Sequence, residues 1–182
     1  MGRGRRTPAP PRFSKNTSGK AMNSRIVGFL GLALGALVLP AAAEEITGRA
    51  RVMDPNTIEI DGRRVRLAGV DAPDLAQTCP TKKGEDYACG RISAQTLVAL
   101  VKDGSLTCVG DKTDAVGRLL ARCAIRGFDV GEQYVMTGRA FADPETGADY
   151  RRAEATAEKL REGMWRGPFQ KPWDWRKSRA GQ

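Results

Sequence analysis

Alternating apolar and polar positions characterise the chain immediately after residue 43. The runs ITGRARVM (Ile46–Met53), TIEI (Thr57–Ile60) and RRVRL (Arg63–Leu67) follow the two-residue period of a half-buried β-strand. The turn sequences DPN and DG separate these runs. The pattern therefore predicts a three-stranded antiparallel meander that ends just before VDAPD, at residues 70–74.

Helical periodicity appears in three later segments, Arg91–Lys102, Val130–Gly138 and Asp149–Glu162. The first has apolar residues near the 3.6-residue period, and the third is rich in helix-favouring residues and is followed by Gly163. These segments predict one amphipathic helix, one short helix and one mainly surface helix.

Two more strands are predicted between the first two helices, at Leu106–Val109 and Leu119–Ile125, joined by GDKTDAVGR. The polar segment Leu75–Tyr87, which contains proline and glycine, predicts a loop. Five short strands with three helices inserted and appended indicate an α+β fold built on a five-stranded β-barrel of the oligonucleotide-binding (OB) type.

The N-terminal region has the pattern of an export signal. Residues 1–25 hold seven Lys and Arg and no Asp or Glu, and the apolar run IVGFLGLALGALVLP that follows ends in AAAEE. This order predicts a secretory signal peptide cleaved after Ala43, which leaves a periplasmic or secreted chain of 139 residues. The alternative is an uncleaved anchor, although Ile26–Ala43 is at the short end of the ~20 residues that a membrane span needs. Because Met22 alone would begin a signal peptide of ordinary length, residues 1–21 are either an overlong start or an extended leader.

Net charge says little about binding partners once this leader is set aside. The whole chain carries +9, but 23 Lys and Arg remain against 21 Asp and Glu after residue 43. The basic isoelectric point, which would otherwise suggest a nucleic-acid partner, therefore belongs mainly to the export signal.

The four cysteines all follow residue 43. An exported chain with an even cysteine count predicts disulfides. Three pairings are possible, and we predict Cys79–Cys89, which bracket the predicted loop, and Cys108–Cys123, which lie on the predicted strand pair. Four unpaired thiols are the alternative; a zinc site is disfavoured because the sequence has no His and no CxxC pair.

A series of short motifs runs through the same part of the chain: DxxTIEIDGRRVRLAGVDAP, QxC, YACG, DxxGRxLA, a Y-x3-E-x2-A helix, GMWRGPF and PWDWR. Each alone is weak, but the ordered set over Ile46–Arg176 resembles the thermonuclease, or staphylococcal-nuclease-like, family. The resemblance implies an OB barrel with three helices, in agreement with the strand and helix pattern. We therefore divide the chain into a leader at 1–43, a nuclease-like domain at 44–176 and a short basic tail at 177–182.

The resemblance also implies calcium-dependent cleavage of phosphodiester bonds in DNA and RNA. Arg66 in VRL and Arg118 in DAVGR match the family's two phosphate-binding arginines, whose forked guanidinium groups suit paired phosphate oxygens. Asp71 matches a calcium carboxylate, and Ala72 matches the residue that offers calcium its backbone carbonyl. Without the resemblance, both arginines read as ordinary solvated side chains.

Three positions depart from the family pattern. The family's second calcium aspartate lies in the motif DGDT. The corresponding segment of this chain is DPNT, which places Asn56, an oxygen ligand without a charge, at the position of that aspartate. Asp54 is a further candidate ligand nearby. Asp74 stands where the family has the glutamate that activates water, and it is shorter by one methylene, about 1.5 Å. Val116 replaces a tyrosine that often precedes the second arginine. If DPN is only a hairpin turn, it holds no metal.

These residues favour an exported calcium-dependent nuclease for DNA, RNA or both, with weakened activity. The alternative is a catalytically degenerate module of the same fold that binds nucleic acid or phosphate ligands; a third reading is a structural or interaction domain. After signal cleavage we expect a monomer without stable membrane association. Trp165, Trp173 and Trp175 either stack on bases or, as their positions favour, cover the core.

Overall fold

A computed structural model describes residues 43–181. The predicted signal peptide up to residue 42 lies outside the described residues. Between 43 and 181, no helix has both the length and the apolar character needed to cross a membrane.

The described chain contains short strands, four α-helices and two 3-10 turns (Ala148–Tyr150 and Gly163–Arg166). The strands are β1 (Glu44–Gly48), β2 (Ala50–Asp54), β3 (Thr57–Ile60), β4 (Arg63–Leu67), β5 (Val70–Asp71), β6 (Cys79–Pro80), β7 (Asp86–Tyr87), β8 (Leu106–Thr113), β9 (Leu119–Ile125), β10 (Phe128–Asp129) and β11 (Phe141–Ala142). The helices are α1 (Cys89–Val101), α2 (Val130–Met136), α3 (Arg151–Leu160) and α4 (Pro172–Ala180).

The main sheet has the strand order β1-β8-β9-β4-β3-β2, with β10 paired to β9. Neighbours are antiparallel except for β4 and β9, which are parallel. Because only Arg49 separates β1 from β2, the two ends of this order belong to one interrupted strand, and the sheet curls into a half-barrel. This arrangement confirms the predicted α+β, OB-type fold class, with the predicted strand Ile46–Met53 split at Arg49.

The core lies inside this curled sheet, closed by α1 and α2. Strand alternation buries Ile58 and Ile60 on β3 and Val65 and Leu67 on β4, each at most 2% exposed. The apolar face of α1 and residues of α2 join the same cluster. The outward positions of β4, including Arg66, are thereby left to face the surrounding loops.

The C-terminal segment forms a fourth α-helix that helical periodicity did not indicate. Pro172 lies in the first turn of α4, where its missing N–H costs nothing. The helix continues to Ala180, beyond the domain end predicted at residue 176. The predicted loop Leu75–Tyr87 also contains a small hairpin, formed by β6 and β7.

Both predicted disulfides are confirmed: Cys79 bonds to Cys89, and Cys108 bonds to Cys123. Cys108 and Cys123 face each other in the β8–β9 pair, with Cα atoms 4.0 Å apart. Cys79–Cys89 closes the loop that joins VDAPD to α1. The two bonds therefore fix the strand pair that leads into Arg118 and the loop that follows Asp74.

We predict that the double variant Cys108→Ala/Cys123→Ala has a free energy of unfolding lower by about 3 kcal/mol, because a closed loop of this length restricts the unfolded chain by about that amount. Urea denaturation followed by circular dichroism measures the difference. Equal unfolding free energies for the variant and the oxidised parent protein would contradict the prediction.

Candidate active site

Asp71 is a buried carboxylate at the end of β5, with 1% of its surface exposed. It is placed there by the pairing of β5 with β11, in which Asp71 lies opposite Phe141. One carboxylate oxygen, Oδ2, accepts a hydrogen bond from Nη2 of Arg176. The other, Oδ1, lies 3.9 Å from Nη2 of Arg66 and has no hydrogen-bond partner among the described residues.

The charge on Asp71 is only partly compensated. Burial raises the pKa of Asp71, and the hydrogen bond and charge of Arg176, together with the charge of Arg66, oppose that rise without cancelling it. A buried carboxylate with a free oxygen is a good ligand for an added cation, since hard cations prefer such oxygens.

Asn56 lies in the turn between β2 and β3, where its side chain is buried against the backbone of Ala72. Its Nδ2 donates to the Ala72 carbonyl at 2.9 Å, and its Oδ1 accepts from the Ala72 N–H at 2.8 Å. Asp54 closes the same turn, because its Oδ1 accepts from the Asn56 backbone N–H at 2.8 Å. Three of the four candidate metal ligands, Asn56, Ala72 and Asp54, are therefore hydrogen-bonded to one another in this structure.

This arrangement fits a divalent cation only in part. Asp71 offers a free, buried oxygen, but the oxygens of Asn56 and Ala72 are turned toward each other's N–H groups. Within residues 43–181, no cluster of three or more His, Cys, Asp or Glu side chains is arranged to hold a metal. Calcium usually takes about six to eight oxygens, so the described side chains would leave most of its ligands to water or substrate.

Arg118 is held rigidly at the start of β9. Its Nε donates to Asp114 Oδ2 at 2.7 Å, and its Nη1 donates to Thr57 Oγ1 at 2.8 Å. Burial raises the pKa of Asp114, but hydrogen bonds from the backbone and side chain of Arg118 and from the Val116 N–H outweigh this and keep the pKa below its usual value. Gly117, at φ +79°, supplies the left-handed turn residue before Arg118.

Arg66 and Arg118 line one open cleft of about 430 Å³. Arg66 is positioned by β4, which pairs with β9 so that Arg66 lies opposite Leu120, two residues from Arg118. Val116 forms part of the rim, is 74% exposed and has no side-chain hydrogen-bonding group. The structure thus brings together the two arginines that the sequence identified and places the substituted Val116 beside them.

Acidic side chains outnumber the arginines in this cleft. Asp114, Asp143 and Glu145 line it together with the two arginines. Burial raises the pKa of Asp143, but hydrogen bonds from Thr146 and the Glu145 N–H and the charge of Arg66 outweigh it, so that this pKa is held low. The sequence does not mark Asp143 and Glu145 as site residues, because the segment DPETG that holds them has only the composition of a loop.

Asp74 lies beside Asp71 but outside the lining of that cleft. Its side chain is 37% exposed, and its Oδ1 is 3.7 Å from Nη1 of Arg176. The start of α1 approaches closely: a Cβ at Gly90 would lie 1.8 Å from the Asp74 carbonyl oxygen, so only glycine fits. The Asp74 backbone is therefore fixed, while its carboxylate remains accessible to water.

Arg176 is a further residue at the site that the sequence did not reveal. It was part of the motif PWDWR, but its contact with Asp71 joins residues 105 positions apart. Trp165 and Trp173 pack in a cluster with Phe141 and Met164, in agreement with the packing role favoured for them. Tyr150 is 3% exposed and its hydroxyl donates to Asp129, so it supports α2.

The fold and the paired arginines together define a nuclease-fold protein. Residues 64–167 match the family described as staphylococcal nuclease homologue. The chain belongs to this family, as the motif order predicted.

Named relatives agree with this assignment. The chain is 38% identical over 143 residues to the succinoglycan biosynthesis protein ExoI of Rhizobium meliloti, a match that covers 75% of each chain. It is 29% identical over 117 residues to the probable staphylococcal-like nuclease CAN3 of Oryza sativa subsp. japonica, and 28% identical over 117 residues to CAN2 of the same plant. The two rice matches cover 63% of this chain but only 28% and 29% of the rice proteins.

Proposed function

We propose that the protein is an exported, monomeric nuclease that hydrolyses phosphodiester bonds in DNA, RNA or both with the help of calcium. The observation that carries the proposal is the placement of Arg66 and Arg118 on one cleft beside the buried carboxylate of Asp71. The family assignment supports nucleic acid as the substrate. The two disulfides and the predicted signal peptide support an exported location.

The arginines would neutralise the phosphate as negative charge builds on its oxygens. Arg66 makes only a loose 3.9 Å contact with Asp71, so its guanidinium retains donors for a phosphate. Arg118 uses Nε and Nη1 for Asp114 and Thr57, which leaves Nη2 to donate. Donors that are held in place before substrate binds stabilise a transition state without reorganising.

Asp74 would act as the general base that takes a proton from the attacking water. Its carboxylate is accessible, and its backbone is fixed by Gly90 and the disulfide-closed loop. One methylene less than glutamate shortens its reach, and a displacement of about 1 Å can cost roughly 100-fold in rate. We therefore propose a slow enzyme.

Asp71 would hold calcium, while Asn56, Ala72 and Asp54 would contribute only if their present hydrogen bonds open. Calcium, when bound, would add positive charge against the phosphate oxygens. The replacement of a carboxylate by the Asn56 amide weakens this site by one negative charge.

We predict that Arg66→Ala and Arg118→Ala each lower calcium-dependent cleavage of single-stranded DNA by about 10²–10³-fold, the effect of removing one transition-state donor. Cleavage is measured on a labelled oligonucleotide with calcium and with chelator. Arg64→Ala is the matched control, because Arg64 lies on the same strand and is exposed. Absence of calcium-dependent cleavage by the parent protein at high concentration would overturn the proposal.

The degenerate-module alternative is favoured by one observation, the ion pairs that tie Arg176 to the carboxylates at the site.

We predict that Asp74→Ala lowers cleavage by at least about 10²-fold, as loss of a general base does, while salt-sensitive binding of single-stranded DNA persists. Fluorescence anisotropy measures the binding. If the parent protein binds but does not cleave, the alternative function is correct; if it does neither, the chain is a structural or interaction domain.

We predict that Asn56→Asp tightens calcium binding by about tenfold or more, because ligand charge sets the affinity of such sites. The aspartate adds a charge and, being unable to donate, also frees the Ala72 carbonyl. Asn56→Ala is the control, since it frees the same carbonyl without adding a charge. Calorimetric titration with calcium chloride measures both; equal affinities for the two variants would remove Asn56 from the metal site.

A further inference from the structure

Arg176 connects the two carboxylates of VDAPD. Its Nη2 donates to Asp71 Oδ2, and its Nη1 lies 3.7 Å from Asp74 Oδ1. Burial lowers the pKa of Arg176, but the hydrogen bond and charge of Asp71 and the charge of Asp74 outweigh it and raise this pKa above its usual value. The guanidinium thus carries its positive charge between Asp71, the proposed calcium ligand, and Asp74, the proposed base.

The position of Arg176 is set by a strong anchor at the start of α4. Lys171, five residues earlier, donates to Glu154 at 2.7 Å, and both side chains are mostly buried. Its Nζ also lies over four aromatic rings, with centroid distances of 4.0 Å to Phe141, 4.5 Å to Trp165, 5.3 Å to Trp173 and 5.7 Å to Phe169. Cations within about 6 Å of a ring centroid are attracted to the ring face.

This anchor is connected directly to the site. Phe141, which contacts Lys171, is the strand partner of Asp71. Gln77, in the loop after Asp74, is fully buried and donates to the Gln170 carbonyl at 2.8 Å. The start of α4 is therefore joined to both sides of VDAPD, and the helix directs Arg176 toward Asp71 and Asp74.

We propose that Arg176 is the resident cation of Asp71 and Asp74, and that it competes with a divalent cation at Asp71. This inference rests on the proposed function only in taking calcium as the ion. Two positive groups beside the same buried carboxylate repel each other at short range, so each lowers the affinity of Asp71 for the other. Calcium binding at the free Oδ1 of Asp71 is then weakened as long as the guanidinium stays on Oδ2, and in the calcium-free protein Arg176 compensates part of the charge of the two acids.

The competing explanation is purely structural. If Arg176 only fastened α4 to the barrel, its removal would lower the melting temperature and leave calcium affinity unchanged. If Arg176 and calcium bound different oxygens of Asp71 without interference, the calcium affinity of the Arg176 variants would also stay the same as that of the parent protein, or fall.

The test is a calorimetric titration of the purified protein with calcium chloride, comparing Arg176→Ala and Arg176→Gln with Arg179→Ala. Arg179 is a matched control on the same helix, since its guanidinium lies over Trp175 at 5.1 Å and its loss changes net charge equally. We expect both Arg176 variants to bind calcium at least about fivefold more tightly, at the lower end of typical coupling between sites. Arg179→Ala should stay within about twofold of the parent.

The increase in melting temperature on adding calcium is a second measure of calcium affinity. Tighter binding raises the melting temperature by more at a fixed calcium concentration, so the Arg176 variants should show the larger increase. If neither variant folds without calcium, recovery of the folded circular dichroism spectrum on adding calcium supports competition, and no recovery overturns it. Unchanged or weaker binding in folded variants also overturns it.

These outcomes are separate from those of the proposed function. A protein that shows competition between Arg176 and calcium but never cleaves DNA would overturn the nuclease proposal alone. A protein that cleaves DNA with calcium, and whose Arg176 variants bind calcium no more tightly, would overturn the competition alone.

Discussion

Burial of the Asp71 carboxylate is the constraint around which this site is built. A carboxylate that is 1% exposed loses its hydration and must find positive charge within the protein. The strand β4, which precedes Asp71 in the chain, contributes Arg66, and the helix α4, which follows it, contributes Arg176. Because one oxygen still has no hydrogen bond among the described residues, the compensation is incomplete, and the site retains an attraction for further cations.

The same constraint makes the C-terminal helix α4 part of the candidate site, because its Arg176 pairs with the buried Asp71. Lys171, held by Glu154 and four aromatic rings, joins α4 to the strand that pairs with Asp71. A helix of nine residues would be marginal alone, so this tertiary anchor accounts for its stability. Through it, the aromatic cluster under α4 and the acid pair at VDAPD form one connected unit.

In the turn between β2 and β3, the side chain of Asn56 is held by hydrogen bonds to the backbone of Ala72. Asn56 satisfies both backbone groups of Ala72, which an aspartate cannot do because it has no donor. Compared with an aspartate, which could still accept from the Ala72 N–H, Asn56 lacks a negative charge and gains one buried hydrogen bond, from its Nδ2 to the Ala72 carbonyl. Arg66 and Arg118 line a separate cleft, to which Asn56 does not contribute.

Strand alternation, turn residues and cysteine spacing are local signals that survive in the folded protein, so they were enough to predict the meander, both disulfides and the OB-type fold class. The two arginines were singled out only through the resemblance of the ordered motifs to the family. The tertiary structure was needed to establish the partners of Asn56 and the helical state of the tail. It also decided the contact of Arg176 with Asp71, which spans 105 residues. Such contacts arise from packing between distant segments, and no periodicity in the chain encodes them.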